Sequence, residues 1–471
     1  MNDNPDRMAS ALPANLWTAA EIAAATGGVA SADFAVTGVA FDSREVGQGD
    51  LFIAMRGEET DGHHFVDRAF AAGAAGAIVE APIAHPHILV ADSVAALNAL
   101  GHAARARTDA MVIGVTGSVG KTGTKEALAA ALERGCPGRV HRSVKSYNNH
   151  TGVPLSLARM PRDARYGVFE MGMNHAGELS ALSAMVRPQV AVVTTIAPAH
   201  MEYFASIDAI ADAKGEIFEG LVGAKIAIVP ADSPQCERLV AAARGHASTV
   251  LRFGLGEGAD VRARDWVADA ATGGSLITAQ VDGASLCFTL APPGDHWVAN
   301  AMAVLAVVRA VGADLAAAGL ALAELPGLPG RGARHHVPAG SGDALVIDES
   351  YNANPASMAA TIGQLGRAPA QRRVAILGAM RELGPGSAAF HCALADQLLA
   401  AGVDKAILVG EEMESLAKAL EGKLDFTHGL SVDHVLAQAQ ADVRPGDAIL
   451  VKGSNAVGLS RIVAALTGGE N

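Results

Sequence analysis

Residues 114–126 read GVTGSVGKTGTKE. The apolar run AMVIGV (110–115) leads into them, and a helix-like segment follows. A strict phosphate loop carries a glycine five places before the glycine of its Gly-Lys pair, and Val115 holds that place here. What stands instead is Gly117, Ser118, Val119, Gly120, Lys121 and Thr122, with Gly123 next. The physics still suits a phosphate. Glycines let the backbone turn so that successive N–H groups face one anion, and a helix starting near Thr122 adds its positive end. Lys121 can reach the β and γ phosphates, and the Thr122 hydroxyl can reach Mg²⁺. A strand-to-helix turn with a surface lysine is the bland alternative. The order buried strand, glycine loop, Gly-Lys-Thr argues for a nucleoside triphosphate, although it does not say what the energy is used for.

Outward from this loop the chain reads as α/β. Its 471 residues are half hydrophobic but only 4% aromatic. A chain of that length divides into about three domains. Before the loop, DLFIAM (50–55) and AGAIVEA (75–81) read as strands around the helix HHFVDRAFAAG, a small α/β module. After it, YGVFEMG (166–172), VAVVTTIAP (190–198) and KIAIVPAD (225–232) alternate with helices, as in a doubly wound, mostly parallel sheet. VLRFGL, SLITAQVDG and ASLCFTLAPP read as hairpin-linked strands at its edge. The proline- and glycine-rich run 324–336 reads as a linker, with a hinge near Pro326–Arg331. ALVIDES, RRVAILGAM, KAILVG and DAILVKGS then give a third α/β domain. A formal charge of −13 argues against bulk binding of nucleic acid or acidic lipid. Four scattered cysteines with no CxxC indicate neither a zinc site nor a disulfide framework, and no run has the length of a membrane span.

Four further places narrow the chemistry. Glu170 ends a strand within FEMGMNHAGEL, a position for a magnesium ligand or, alternatively, a helix cap. His200 ends TTIAPAH, and a lone histidine is more often structural than a ligand. Lys214 in DAKGEIFEGL reads first as a solvated lysine. VIDESYNANPASM (346–358) sets Asp348, Tyr351, Asn352 and Asn354 after a strand, as a ligand surface or as a polar turn closed by Pro355.

Together these segments resemble the Mur ligase family, the ATP-dependent ligases of peptidoglycan synthesis. TGSVGKT resembles the family's ATP loop, GDHWVANAMAVLAV its following helix with Asn300, and GRGARHH the start of its C-terminal domain. DESYNANPASM, LGAMRELG and FDSREVGQGDLFIAMRGEETDGHHF resemble the branch that attaches D-alanyl-D-alanine to UDP-N-acetylmuramoyl-tripeptide. Ala379 and Asn455 depart from it, standing where Asp and Arg are common.

The resemblance implies a UDP-substrate domain (1–107), an ATP-binding P-loop domain (108–328) and a Rossmann-like ligase domain (329–471). It implies ATP at Gly117–Gly123, Asn300, Arg331, Tyr351 and Asn352, with Lys121 catalytic. Magnesium, two ions, would be served by Thr122, Glu170, His200 and Lys214, the last carbamylated by CO₂. Ser43 and Arg44 would hold the uridine diphosphate, and Asn149 and Thr151 of KSYNNHTGVPLSL the rest of that substrate. The implied protein is a cytoplasmic monomer of cell-wall precursor synthesis that binds no nucleic acid and inserts in no membrane. A folylpolyglutamate synthetase would have no use for the SYNANP and uridine-loop segments. A switch or transport ATPase would have none for the N-terminal module.

Overall fold

The computed structural model describes residues 15–57, 60–199, 201–268 and 274–469, so His200 lies outside the described residues. It is an α/β structure with several mostly parallel sheets. The N-terminal sheet has the spatial order Val29–Ala30, His87–Leu89, Gly76–Val79, Asp50–Ile53, Gly38–Ala40. Its last four strands are parallel. Gly76–Val79 is buried throughout, which is why it reads as an unbroken apolar run rather than an alternating one. Asp92 caps the helix Ser93–Ala106 by accepting from the N–H groups of Val94 and Ala95.

The nine-stranded sheet runs Ala284–Leu290, Ser275–Val281, Val261–Ala268, Thr249–Gly254, Ile226–Pro230, Val190–Val193, Met111–Thr116, Tyr166–Glu170, Val140–Arg142. Helix Asp295–Ala310 is buried over most of its length, as a helix apolar on every side should be. The edge differs from the sequence expectation. Thr249–Gly254 is parallel to Ile226–Pro230 and belongs to the wound part of the sheet. The antiparallel edge begins with Val261–Ala268, a strand that the sequence pattern does not announce. Its register shifts between Ala263 and Asp265, which breaks the period of two, and its sequence VRARDWVA is charged. Asp282 and Gly283, both at positive φ, close the last hairpin as a two-residue turn.

The C-terminal sheet runs Ala333–Ala339, Gly342–Glu349, Asp447–Lys452, Arg372–Gly378, Lys405–Val409, Asp425–Gly429. The first strand is antiparallel to the second, and the remaining pairs are parallel. The expected linker is therefore shorter than 324–336, because Ala333–His336 already pair with Val346–Asp348 and Leu345. Pro338 is tolerated in that strand because the strand is an edge.

The chain forms two compact units. One contains residues 1–114, 138–171 and 181–188; the other contains 115–137, 172–180 and 189–471. Among the described residues no helix is long and apolar enough to cross a membrane.

Candidate nucleotide and substrate sites

In the larger unit the glycine loop leaves a buried strand and enters helix Lys121–Gly135. Gly120 takes φ +86°, where a side chain is strained. A Cβ on Gly117 would stand 2.0 Å from Thr194 Oγ1, one on Gly120 2.7 Å from Asn300 Oδ1, and one on Gly123 2.9 Å from Trp297. The three glycines thus let helix Asp295–Ala310 and the Thr194 turn press against the loop. That turn also braces it. The Ser118 N–H donates to Thr195 O at 2.7 Å, and the Thr194 hydroxyl to Val119 O at 2.6 Å. Lys121 Nζ folds back onto Gly117 O at 2.7 Å. Among the described residues the Ser118 hydroxyl is buried without a hydrogen-bond partner, a polar atom left over inside the cradle.

Lys214 overturns its first reading. It ends helix Ile207–Gly215, capped by Ser206, and is only 1% exposed. Burial, and secondly the neighbouring Lys121 ammonium, push its pKa well below the ordinary lysine value. Asn300 is also buried, on the helix face toward Gly120.

The C-terminal turn divides its polar residues between scaffold and surface. Asp348 accepts from the N–H of Gly330 at 2.7 Å and from the Ser350 hydroxyl at 2.6 Å. Asn354 caps helix Pro355–Arg367 in a reciprocal box with Ser357. Both hold the turn's shape. Tyr351 remains half-buried, with the Arg331 guanidinium 4.1 Å from its ring centroid. Ala379 is fully buried, its N–H on Val409 O, so it presents no polar group there.

In the smaller unit Glu170 ends strand Tyr166–Glu170 and is 1% exposed. It does not cap a helix: the next one begins at Glu178. Asn148 Nδ2 donates to Glu170 Oε1 at 2.7 Å. The sequence pattern singles out Asn149 and Thr151 in this segment and misses Asn148. Asn149 Oδ1 accepts from the Gly152 N–H at 2.9 Å and from the Thr151 hydroxyl at 3.1 Å, opening helix Gly152–Ala158. In the three-residue stretch 147–149 the middle side chain is thus the one that reaches the buried carboxylate. The same loop meets the Ser43–Glu45 segment. Glu45 is ion-paired with Lys145 and accepts from the Tyr147 hydroxyl at 2.8 Å. Burial, then Glu45, pushes Tyr147 up to about 12. Ser43 is buried, while Arg44 is 73% exposed and forked onto Asp42, holding that carboxyl at about 2. A cavity of about 500 Å³ opens beside this meeting, lined in part by Asp50, Arg142, Lys145 and Arg159. Among the described residues no three histidine, cysteine or acidic side chains gather as a metal cluster.

A glycine cradle between a buried parallel strand and a helix, with Lys121 and Thr122 at the helix start, defines a P-loop-type nucleotide-binding α/β protein. The chain matches the models of the Mur ligase family, catalytic domain (residues 35–141), the Mur ligase middle domain (115–308) and the Mur ligase, glutamate ligase domain (333–455). It is 35% identical to the UDP-N-acetylmuramoyl-tripeptide--D-alanyl-D-alanine ligase of Escherichia coli (strain K12) over 93% of this chain and 96% of that protein. With the ligase of the same name from Bacillus subtilis (strain 168) the identity is 33%, over 92% and 93%. The crystal structure of MurF from Acinetobacter baumannii superposes with a TM-score of 0.82 at 31% identity, covering 96% of this chain and 99% of that one. That of MurF ligase from Thermotoga maritima in complex with ADP gives 0.76 at 28%, covering 92% and 97%. The chain belongs to the Mur ligase family.

Proposed function

We propose that this chain is an ATP-dependent peptide ligase that joins D-alanyl-D-alanine to UDP-N-acetylmuramoyl-tripeptide, releasing ADP and phosphate. The observation that carries this reading is full-length similarity, at about a third identity, to ligases named for that reaction. The reaction belongs to the cytoplasmic assembly of the cell-wall precursor. We read the protein as a monomer of three domains, 1–107, 108–328 and 329–471.

The chemistry fits the residues. A carboxylate is a poor electrophile until its oxygen takes the γ-phosphoryl group of ATP. The resulting acyl phosphate carries a good leaving group, and the D-alanyl-D-alanine amine attacks its carbonyl carbon. Catalysis is then mostly positioning and charge neutralisation. The loop Gly117–Gly123 offers N–H groups and the leftover Ser118 hydroxyl to phosphate oxygens. Lys121 places a cation on the transferring group, and Asn300, Arg331, Tyr351 and Asn352 complete the nucleotide site. Ser43, Arg44, Asn149 and Thr151 are assigned to the UDP-substrate. Magnesium supplies neutralisation of the phosphate charge, with Thr122, Glu170, His200 and Lys214 as its proposed ligands.

We assign Lys214 as carbamylated in the active enzyme. Its lowered pKa supports this, because only the neutral amine adds to CO₂. The ammonium first loses one proton; the neutral Nζ then bonds to the CO₂ carbon as one C=O π bond opens onto oxygen, a second proton leaves to solvent, and the side chain becomes an anionic oxygen ligand.

Phosphate release, measured with and without each of the two substrates, tests the function. Release that requires both supports it. Release unaffected by either would identify a different ATPase.

A further inference from the structure

We propose that Lys452 is a positioning residue: from beneath the turn Ser350–Asn354 it holds the main-chain carbonyl of Asn352, and so sets where Tyr351 and Asn352 stand. This rests on the reading of Tyr351 and Asn352 as nucleotide-contacting residues.

Lys452 ends strand Asp447–Lys452, directly opposite Glu349 in the parallel pairing with Gly342–Glu349. It is 2% exposed, one of the largest fully buried side chains in the molecule. Its Nζ donates to Asn352 O at 2.9 Å and stands 3.5 Å from Glu349 Oε2. Burying an ammonium is costly unless it is paired and hydrogen-bonded, and an apolar side chain of the same length would fill the space with less desolvation. What the ammonium adds is a grip on one carbonyl in the middle of a turn.

Other ties hold the turn toward its ends. Asp348 ties its start to Gly330, and Asn354 ties its finish to helix Pro355–Arg367. The Tyr351 N–H donates to Gly330 O at 3.1 Å, and a Cβ on Gly330 would stand 2.7 Å from Tyr351 Cβ. That contact fixes Tyr351 against Arg331 on one side. Asn352, the next residue, is fixed from below by Lys452. Glu349 in turn keeps the Lys452 ammonium under the turn. Burial acts against both charges, lowering the lysine's pKa and raising the glutamate's, while their mutual attraction opposes this.

The test is K452M and K452Q beside Y351A in the full-length enzyme. ADP–Mg²⁺ affinity is read by calorimetry, and KM for each of the three substrates by phosphate release. A hydrogen bond from a charged donor corresponds to about tenfold or more in an equilibrium. K452M and K452Q should therefore raise the KM for ATP and the Kd for ADP by about that factor. The KM for UDP-tripeptide should stay within about twofold, even where loss of one partner of the buried Lys452–Glu349 pair lowers the melting temperature. K452R, which keeps a donor and the charge, should recover part of the loss. If either neutral variant binds nucleotide like the parent while Y351A does not, Lys452 does not position the turn and the inference fails alone. An equal loss for all three substrates also overturns it, because that is a general packing defect rather than a loss at the nucleotide. If Y351A leaves nucleotide binding unchanged, the underlying reading of the turn falls, and this proposal with it.

Discussion

Replacing Lys214 by methionine should make the protein more stable and inactive at once. The side chain is 1% exposed, and its pKa is depressed by burial and by Lys121. In the unfolded chain the same lysine titrates near 10.4. Between the folded and unfolded values the unfolded state binds more protons, so stability rises with pH across that window. Below the folded pKa the full penalty applies, about 1.4 kcal/mol for each unit of depression. Methionine has nearly the same length and no charge to desolvate. Exchanges of buried charged groups for well-packed apolar ones gain about 1–4 kcal/mol. For domains of this size that is about 2–4 °C per kcal/mol. The assay is thermal unfolding of both proteins from pH 6 to 10 in CO₂-free, metal-free buffer. The gain should be largest at the acid end and fade as the pH approaches about 10.5. Ligase activity of K214M, measured with bicarbonate and Mg²⁺, should be lost, and acetate should restore part of it in Lys214→Ala. A K214M protein less stable than the parent at pH 7, with an unchanged pH slope, would refute the reasoning. Lys214 would then be held by favourable partners rather than carrying an uncompensated desolvation cost.

Lys121→Ala should abolish turnover with little change in melting temperature, since the side chain is half-buried and folds back onto a carbonyl of its own loop; parental turnover would remove the loop from the mechanism. Gly117→Ala should lower nucleotide affinity by about 100-fold or more, because the added Cβ stands 2.0 Å from Thr194 Oγ1 and the loop must shift off several phosphate contacts; calorimetry with ADP–Mg²⁺ checks it, and parental affinity would show that the cradle is not used. Asn148→Ala should raise the Mg²⁺ concentration needed for half-maximal activity by removing a donor from the buried Glu170 carboxylate. An Mg²⁺ titration at saturating ATP measures this, and an unchanged midpoint would detach Glu170 from metal binding.

The buried parallel strands were legible because they are unbroken apolar runs, as in Val190–Val193 beside the phosphate loop and Gly76–Val79 in the N-terminal sheet. The two edge strands of the C-terminal sheet were not. Asp425–Gly429 is half-exposed and reads DFTHG, and Ala333–Ala339 carries two histidines and a proline. Ala333–Ala339 is placed by pairing with Gly342–Glu349 across a tight turn, and Asp425–Gly429 by pairing with Lys405–Val409, which the period of neither segment records. Candidate site residues divide in the same way. Gly117, Gly120 and Lys121 follow from spacing alone. Asn148 lies one place before the residue that the pattern of its segment favours, and only the course of the loop decides which asparagine turns toward Glu170. Lys452 lies 100 residues beyond the carbonyl it holds.

Lysines show the limit of sequence reading most clearly, because a lone lysine is read as solvated by default. Lys125, Lys214 and Lys452 are all fully buried. Lys125 stands 3.0 Å from Glu126, and Lys452 stands 3.5 Å from Glu349. Each of those two charges has a carboxylate to offset part of its desolvation, as a scaffold requires. At Lys214 the neighbouring charge that acts on it is another cation, Lys121, and the interaction adds to the cost of burial. Nothing in packing calls for that arrangement, since a methionine would fit the same helix end. The proposed carbamylation would change its sign. The modified side chain would be an anion beside the Lys121 ammonium, and what is repulsion would become attraction at the same separation. A position that is costly as a lysine and would be favourable as a carbamate is one where the unmodified protein is held ready to react, and that is the physical argument for proposing the modification at Lys214 rather than at either of the other two.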